Sequence, residues 1–208
     1  MTKTIYFVRH GESEGNVSNR KAGLDPELTP QGERQAQFVA KRFVGIAIDI
    51  IIASPLVRAA KTAEYIKEQI HVPIIHDELV LEWKIPEKMV GVLKSECPTM
   101  VEMVDDEFAK NGIFPGGESF SELKARAFEF MKMIEGRPEK NILIASHDVF
   151  LHMLAACVLF GTNLTHDEFA LVYERLKASN TGISIFHLQP EKIKNPWIIL
   201  TWNDSSHI

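Results

Sequence analysis

Residues 9–12, Arg-His-Gly-Glu, are the first place in the sequence where side-chain types and spacing could support chemistry. Arg9 offers a planar fork of donors that suits a phosphate group, and a neutral imidazole at His10 can attack phosphorus. Residues 5–8 are β-branched or aromatic, the pattern of a strand buried on both faces of a parallel sheet. We expect Gly11 to let the backbone turn, so that the Arg-His pair lies at a strand's carboxyl end, where open α/β sheets bind ligands.

Two further apolar runs end beside residues that can bind an anion. The run at 48–53 leads into Ser54-Pro55, which fits a helix cap and a first-turn proline and places Arg58 in the first turn of the next helix. A cation is mildly unfavourable there, but it reinforces an anion site formed by the helix N–H groups. The run at 141–146 ends at His147. Because strand ends of βαβ units meet at one edge of a sheet, we expect these residues to join the Arg-His pair.

The rest of the chain alternates strand-like and helix-like patterns. This alternation predicts βαβ units, and 208 residues suffice for one substantial core. We therefore predict a single α/β domain over residues 1–208, a three-layer sandwich with a mostly parallel central sheet and helices on both faces. The expected elements are a helix from Thr29-Pro30, a strand at 74–75, a helix after the Ser119/Glu122 capping box, a helix at 148–160, a helix after the Thr165/Glu168 capping box, and strands at 183–188 and 197–202.

Composition narrows the possible partners. Hydrophobic residues make up 45% of the chain and charged residues 25%, which are ordinary values for a globular domain. A net charge of -5 and a pI near 5.9 argue against a nucleic-acid partner, so local cations must hold any bound anion. No apolar stretch is long enough to span a bilayer, and the amino terminus lacks a signal-peptide pattern, which predicts a cytoplasmic protein with no membrane partner. The two cysteines cannot make a disulfide framework.

Two segments are candidates for substrate binding. The polar loop at 13–26 contains Asn16, whose amide could bond to an anion near Arg9, together with Arg20. The segment at about 83–115 has no clear pattern, and we expect an insertion or lid. Its apolar residues either pack in the core or line a pocket for an uncharged or partly apolar leaving group. These residues are Ile85, Met89, Val90, Val92 and Met100.

Five motifs follow one another in an order that points to a known family. They are Arg9-His10-Gly11-Glu12 with Asn16, Leu28-Thr29-Pro30-Gln31-Gly32 with Gln35-Ala36, Ser54-Pro55-Leu56-Val57-Arg58-Ala59 with Thr62-Ala63, Gly116-Gly117-Glu118-Ser119, and Ala145-Ser146-His147. Together they run over most of the chain. On these residues the chain resembles the histidine phosphatase superfamily, also called phosphoglycerate-mutase-like.

The resemblance implies a role for each catalytic candidate. His10 would be the nucleophile and become a phosphohistidine, while Arg9, Arg58 and His147 would hold the transferring phosphoryl group. Preorganised cations suit the charge that develops on phosphoryl oxygens. Glu82 stands at the family's offset for the carboxylic acid that protonates the leaving group, whereas Glu78 falls too early and Glu87 too late. Burial beside Trp83 would raise the pKa of Glu82, as this role requires.

The substrate-contacting residues are less constrained by the resemblance. We expect Asn16, Arg20, Ser146 and Asp148 to contact the substrate, although Asp148 stands where the family commonly has a small residue. The family's Gly-x-x-Glu-Gly-like element is also replaced, here by residues 83–91. These two departures leave the substrate open.

A phosphatase is the reaction that the sequence favours. Mutases of the family hold a second anionic group with arginines in the insertion, and this chain has no arginine between Arg58 and Arg126. Lys84, Lys88 and Lys94 remain as alternative anchors, but a lysine is a point charge that lacks the bidentate fork of arginine. The expected substrate is a small-molecule phosphomonoester, with no metal or other cofactor. The alternatives are a phosphoglycerate mutase and a catalytically silent member that binds a phosphorylated ligand. A homodimer through an edge strand at 198–202 is also possible.

Overall fold

One twisted sheet organises the molecule. The computed structural model describes residues 2–23, 25–107, 116–192 and 196–207. Within them the strands are β1 (Lys3–Arg9), β2 (Ile50–Ala53), β3 (Ile74–His76), β4 (Asn141–Ser146), β5 (Ile183–Leu188) and β6 (Trp197–Asp204). The sheet order is β3-β2-β4-β1-β5-β6, and the first four strands run parallel while β5 and β6 are antiparallel to their neighbours. The sheet is therefore mostly parallel, as predicted.

Helices cover both faces of this sheet. They are α1 (Glu14–Val17), α2 (Pro30–Arg42), α3 (Val57–Ile70), α4 (Met100–Val104), α5 (Phe120–Gly136), α6 (Asp148–Phe160) and α7 (His166–Arg175). Short 3-10 turns occupy Glu78–Val80, Glu87–Met89, Lys94–Glu96 and Gly161–Asn163. The side chains of a strand alternate between faces, and Ile52 of β2 joins the core under α5, α6 and α7, whereas Ile51 joins the core under α2 and α3. The predicted three-layer α/β sandwich is confirmed.

Predicted local capping signals set the starts of three helices, and the start of α3 differs from its prediction. The Thr29 cap and the capping boxes at Ser119 and Thr165 form as predicted. However, α3 begins at Val57 instead of at Pro55, so the prediction that Ser54 caps this helix is wrong. The cap comes from elsewhere in the chain, because the carboxylate of Asp25 accepts a hydrogen bond of 2.6 Å from the Val57 N–H.

The predicted insertion is tied to the loop that follows β1. Lys21 exchanges backbone hydrogen bonds with Val92 and Gly91, and the Lys94 N–H donates to the carbonyl of Asn19. Met103 of α4 is fully buried in the main core. The described part of the insertion is thus packed on the domain; residues 108–115 of it lie outside the described residues.

Gly11 serves close packing as well as a change of chain direction. A Cβ on Gly11 would lie 2.4 Å from the carbonyl oxygen of Gly32, and a Cβ on Gly32 would lie 1.9 Å from the carbonyl oxygen of Glu12. No side chain fits at either position. The first turn of α2 therefore rests directly on the backbone that follows His10.

Helix length and apolar content bear on membrane insertion. Among the described residues, no helix is both long enough and apolar enough to cross a membrane.

Candidate active site

The candidate site lies at the carboxyl ends of three adjacent strands of the sheet. β4 lies between β1 and β2, with Arg9 opposite Ser146 and Ala53 opposite Ala145. The backbone continues this register beyond the strands, because the His10 N–H donates to the Ser146 carbonyl and the Ser54 N–H to the Ala145 carbonyl, both at 3.0 Å. The carboxyl ends of the three strands thus lie side by side, as the sequence predicts.

His10 is buried at the floor of the site. Its Nδ1 lies 2.7 Å from the carbonyl oxygen of Gly11, so Nδ1 carries the proton and donates it. The other ring nitrogen, Nε2, lies 3.2 Å from Nε of Arg58 and therefore accepts. Burial and the charges of Arg58 and Arg9 hold the pKa of His10 well below its usual range. The imidazole is consequently neutral near pH 7, with its lone pair on Nε2.

His147 lies beside His10. The centroids of the two rings are 5.2 Å apart, and Nε2 of His147 lies 2.8 Å from the hydroxyl oxygen of Ser54. His147 is fully buried, and burial together with the charge of Arg58 lowers its pKa well below the usual value. Its Nδ1 has no hydrogen-bond partner among the described residues. Buried polar atoms are rarely left unpaired, so this nitrogen marks a place for a polar ligand atom.

Two arginines bring positive charge to the same place. Arg58, from the first turn of α3, is 7% exposed and lines the cavity with Arg9. Arg9 donates through Nη1 to the carbonyl of Ala178, and its Nε is a second buried atom without a hydrogen-bond partner in the described part of the chain. Asn180 was not identified from the sequence, and its Nδ2 donates to the His10 carbonyl at 2.9 Å, which steadies this turn.

Glu82 reaches the site from the segment after β3. Its Oε1 accepts hydrogen bonds from the N–H groups of Trp83 at 2.9 Å and Val149 at 3.1 Å. Burial raises the pKa of Glu82, and the nearby carboxylate of Asp148 raises it further, while the charge of Arg58 opposes the rise. Because Oε1 is held as an acceptor, the proton of the acid form belongs on Oε2.

Asp148 forms a network that the sequence did not reveal. Its Oδ1 lies 3.7 Å from Nη1 of Arg9 and 3.3 Å from Nδ1 of His152, one helical turn away on α6. Burial alone would raise the pKa of Asp148, but the nearby His152 imidazole and the charge of Arg9 lower it overall. The environments of Glu82 and Asp148 therefore push two carboxyl pKa values in opposite directions, as they do in acid–base sites.

The site opens into a cavity of about 560 Å³. Of the four substrate-binding candidates, Asn16 and Asp148 line it. Arg20 is exposed outside it and donates to the Gly91 carbonyl at 2.7 Å. Ser146 is buried, and its hydroxyl donates to the Val80 carbonyl at 2.8 Å. Neither of these two side chains faces the cavity.

The remaining cavity wall combines apolar side chains with lysines. Ile85 and Met100, two of the five apolar insertion residues, line the cavity, whereas Met89 is in the core. Lys21, Lys84 and Lys94 also line it. Lys21 belongs to the polar loop at 13–26, and the other two lysines belong to the insertion. Among the described residues, no group of three or more His, Cys, Asp or Glu side chains is arranged to hold a metal ion.

Comparisons with known proteins agree with this architecture. A family model described as "Histidine phosphatase superfamily (branch 1)" matches residues 5–205. A Serratia proteamaculans (strain 568) protein named "Probable phosphoglycerate mutase GpmB" is 32% identical over 214 residues, covering 98% of this chain and 94% of the relative.

Comparisons with solved structures also find similar folds. The chain is similar to Bacillus stearothermophilus YhfR, with a TM-score of 0.79, 28% identity and 98% of both chains covered. It is also similar to a mutant phosphoserine phosphatase from Entamoeba histolytica in complex with phosphoserine, with a TM-score of 0.75, 25% identity, and coverage of 99% of this chain and 98% of that one. With a family model that spans nearly its whole length, the chain belongs to branch 1 of the histidine phosphatase superfamily.

Proposed function

We propose that this protein is a metal-independent phosphomonoesterase that acts through a phosphohistidine on a small phosphorylated substrate. The observation that carries the proposal is the state of His10: a buried, neutral imidazole whose Nδ1 is fixed by the Gly11 carbonyl and whose Nε2 lies beside Arg58, with the charge of Arg9 also acting on the ring. A histidine with only a structural role would not need the positive charge of Arg9 and Arg58 beside it. A protein that only binds a phosphorylated ligand would need these arginines but not a nucleophilic imidazole.

In the first step, Nε2 of His10 attacks phosphorus. The N–P bond forms while the bond from phosphorus to the ester oxygen breaks, and the proton on Oε2 of Glu82 moves to the leaving oxygen. Arg9 and Arg58 stabilise the charge on the phosphoryl oxygens throughout, and the neutral ring of His147 donates from Nδ1 to one of them in the tautomer whose Nε2 accepts from the Ser54 hydroxyl.

In the second step, water replaces the leaving alcohol. Glu82, now a carboxylate, accepts a proton from the water, whose oxygen bonds to phosphorus while the N–P bond breaks. Phosphate leaves, and both His10 and Glu82 return to their starting states. The raised pKa of Glu82 suits a group that must act first as an acid and then as a base near neutral pH.

The test is hydrolysis of 4-nitrophenyl phosphate in excess chelator. We expect turnover by the wild type, its loss in His10→Ala, and a transient phosphoryl adduct in the intact mass after a quench without acid. His76→Ala is the matched control, because His76 is exposed at the end of β3 and outside the cavity. Activity that disappears with chelator, or that survives in His10→Ala, would refute the mechanism.

A phosphoglycerate mutase is the second candidate. The name of the Serratia relative favours it. The absence of arginines between Arg58 and Arg126 argues for the phosphatase, because mutases must retain a doubly phosphorylated intermediate. Exchange of label between 2- and 3-phosphoglycerate separates the two: a mutase catalyses this exchange faster than it releases phosphate, and a phosphatase does not.

A further inference from the structure

His152 is a buried histidine that the phosphoryl-transfer steps do not use. It lies one helical turn after Asp148 on α6 and is 2% exposed. The rings of Tyr173 on α7 and Trp202 on β6 pack against it in T-shaped arrangements, with centroid distances of 4.9 and 5.2 Å. Because aromatic packing on this scale holds the ring plane, each ring nitrogen of His152 points in a defined direction.

Both ring nitrogens of His152 face oxygen atoms. Nδ1 lies 2.8 Å from the backbone carbonyl oxygen of Asp148 and 3.3 Å from its carboxylate Oδ1, while Nε2 lies 3.0 Å from the carbonyl oxygen of Leu176. A neutral imidazole has one N–H, so its other nitrogen would point a lone pair at one of these oxygens. Only the imidazolium donates from both nitrogens. The geometry therefore requires a positive charge on His152.

The groups around His152 favour this charge. Burial alone would lower the pKa of His152, but the Asp148 carboxylate and the carbonyls of Asp148 and Leu176 raise it overall. The Tyr173 phenol is neutral at pH 7, because burial raises its pKa. The Oδ1 atom of Asp148 also lies 3.7 Å from Nη1 of Arg9. Asp148 is thus the anionic neighbour that two cations share.

His152 contacts both of the segments that Arg9 contacts. Nη1 of Arg9 lies near Asp148 and donates to the carbonyl of Ala178. Nδ1 of His152 faces the same Asp148, and its Nε2 donates to the carbonyl of Leu176, two residues before Ala178. The two sides of the histidine ring therefore lead to the two contacts of the guanidinium.

The segment at 176–178 depends on side-chain donors for its position. It belongs to no helix or strand. Its three consecutive carbonyls accept, in chain order, from the side chains of His152, Trp202 and Arg9. An irregular segment has no ladder of backbone bonds, so each of these side-chain bonds limits its movement. Loss of the His152 bond would loosen the carbonyl that holds Arg9.

We propose that His152, as an imidazolium, is a positioning residue for Arg9, which it fixes through Asp148 on one side and through the 176–178 segment on the other. His152 does not line the cavity, so it acts without touching the substrate. The buried Nε of Arg9 has no hydrogen-bond partner in the described part of the chain, and these contacts direct the guanidinium towards the phosphoryl group. A role in catalysis rests on the proposed phosphatase function, whereas the effect on anion binding can be measured alone.

The experiment measures the affinity for inorganic phosphate by NMR titration at pH 7. The proteins are the wild type, His152→Phe, Arg9→Met and the double variant, since phenylalanine keeps an aromatic ring and removes both donors. His166→Phe is the matched control. Nε2 of His166 also lies 2.9 Å from a backbone carbonyl, that of Val101, and its ring packs against Phe120.

We expect His152→Phe to weaken phosphate binding by about tenfold, the lower end of the range for a hydrogen bond to a charged group. His166→Phe should bind phosphate as the wild type does. In the Arg9→Met background the further loss should be less than about twofold, because the guanidinium to be positioned is gone. Unchanged affinity in His152→Phe, or the same loss with and without Arg9, would overturn the positioning role.

His152→Gln provides the same comparison if the phenylalanine variant does not fold. The amide nitrogen of glutamine can take the place of Nε2 and donate to the Leu176 carbonyl, so this variant should lose less affinity than His152→Phe. NMR spectra of isotope-labelled protein test the charge directly, because both ring nitrogens of His152 should carry a proton at pH 7. A single protonated nitrogen would refute the imidazolium.

Failure of the positioning role and failure of the phosphatase proposal give different results. Hydrolysis of 4-nitrophenyl phosphate with a phosphate affinity that does not depend on His152 would refute the positioning role and retain the phosphatase. A loss of affinity in His152→Phe that requires Arg9, without hydrolysis of any phosphate ester, would retain the positioning role and refute the phosphatase.

Discussion

Replacing Glu82 by glutamine tests the acid in the mechanism most directly. The two hydrogen bonds from the backbone to Oε1, at 2.9 and 3.1 Å, can both be accepted by the amide oxygen of glutamine. The amide nitrogen then takes the place of Oε2, where the transferable proton belongs. The substitution therefore preserves the local fold and removes only the acid.

The size of the loss depends on the leaving group. A positioned general acid contributes about 10²- to 10⁴-fold, which corresponds to about 3 to 5 kcal/mol of transition-state stabilisation. An alkyl phosphate needs the whole of this contribution, because an alkoxide is a poor leaving group. 4-Nitrophenolate leaves readily without a proton, so its kcat/KM should fall by less than about tenfold.

The assay is kcat/KM for a simple alkyl phosphate and for 4-nitrophenyl phosphate. This constant reports only the steps up to formation of the phosphohistidine, so the later role of Glu82 as a base does not enter. Equal losses for the two esters would refute the assignment of Glu82 as the acid. Glu78→Gln is the control, because Glu78 is exposed in the preceding 3-10 turn and does not line the cavity.

Three further predictions concern the surroundings of the site. Asp148→Asn removes a negative charge that raises the pKa of Glu82. Because Glu82 then loses its proton at a lower pH, the high-pH limb of the kcat profile should shift to lower pH. Arg126→Met breaks a two-bond ion pair with Glu118, both bonds 2.7 Å long, and removes hydrogen bonds to the carbonyls of Leu79 and Leu81, so it should lower the free energy of unfolding by about 2 to 3 kcal/mol in urea titrations. Gly32→Ala places a Cβ 1.9 Å from a backbone oxygen and should cost about 3 kcal/mol or more.

Matched substitutions distinguish these effects from general damage. Arg34→Met removes an exposed arginine and should leave the unfolding midpoint nearly unchanged. Gly136→Ala adds a Cβ that meets nothing within 4 Å and should be tolerated. Similar destabilisation in each pair would contradict the stabilising role of the ion pair and the steric need for glycine at position 32. An unchanged pH profile in Asp148→Asn would contradict the coupling of the two carboxyls.

Local signals were enough to predict most of the elements. The apolar run at 141–146, the capping boxes at Ser119 and Thr165, and the break at Gly161 each act over a few residues, and each appears in the structure where it was expected. The position of the catalytic candidates at strand ends followed from the same signals, because parallel strands connected by helices must present their carboxyl ends along one edge.

Contacts between segments distant in the chain depended on tertiary structure. Asp25 caps a helix that begins at Val57, a partnership that residues near that helix could not reveal. Similarly, the need for glycine at position 11 comes from the approach of Gly32. Both depend on how the first loop packs against its neighbours.

In the candidate site, too, some features follow from local sequence patterns and others depend on tertiary contacts. The sequence alone determined the fold class, the nucleophile candidate and the cations around it, since these follow from local patterns and the order of the motifs. Only the tertiary structure decided that Arg20 and Ser146 turn away from the cavity while Lys21 and Lys94 line it. The physical reason is that a side chain's direction in a loop is set by the backbone hydrogen bonds of that loop to other segments, and no local pattern encodes those bonds.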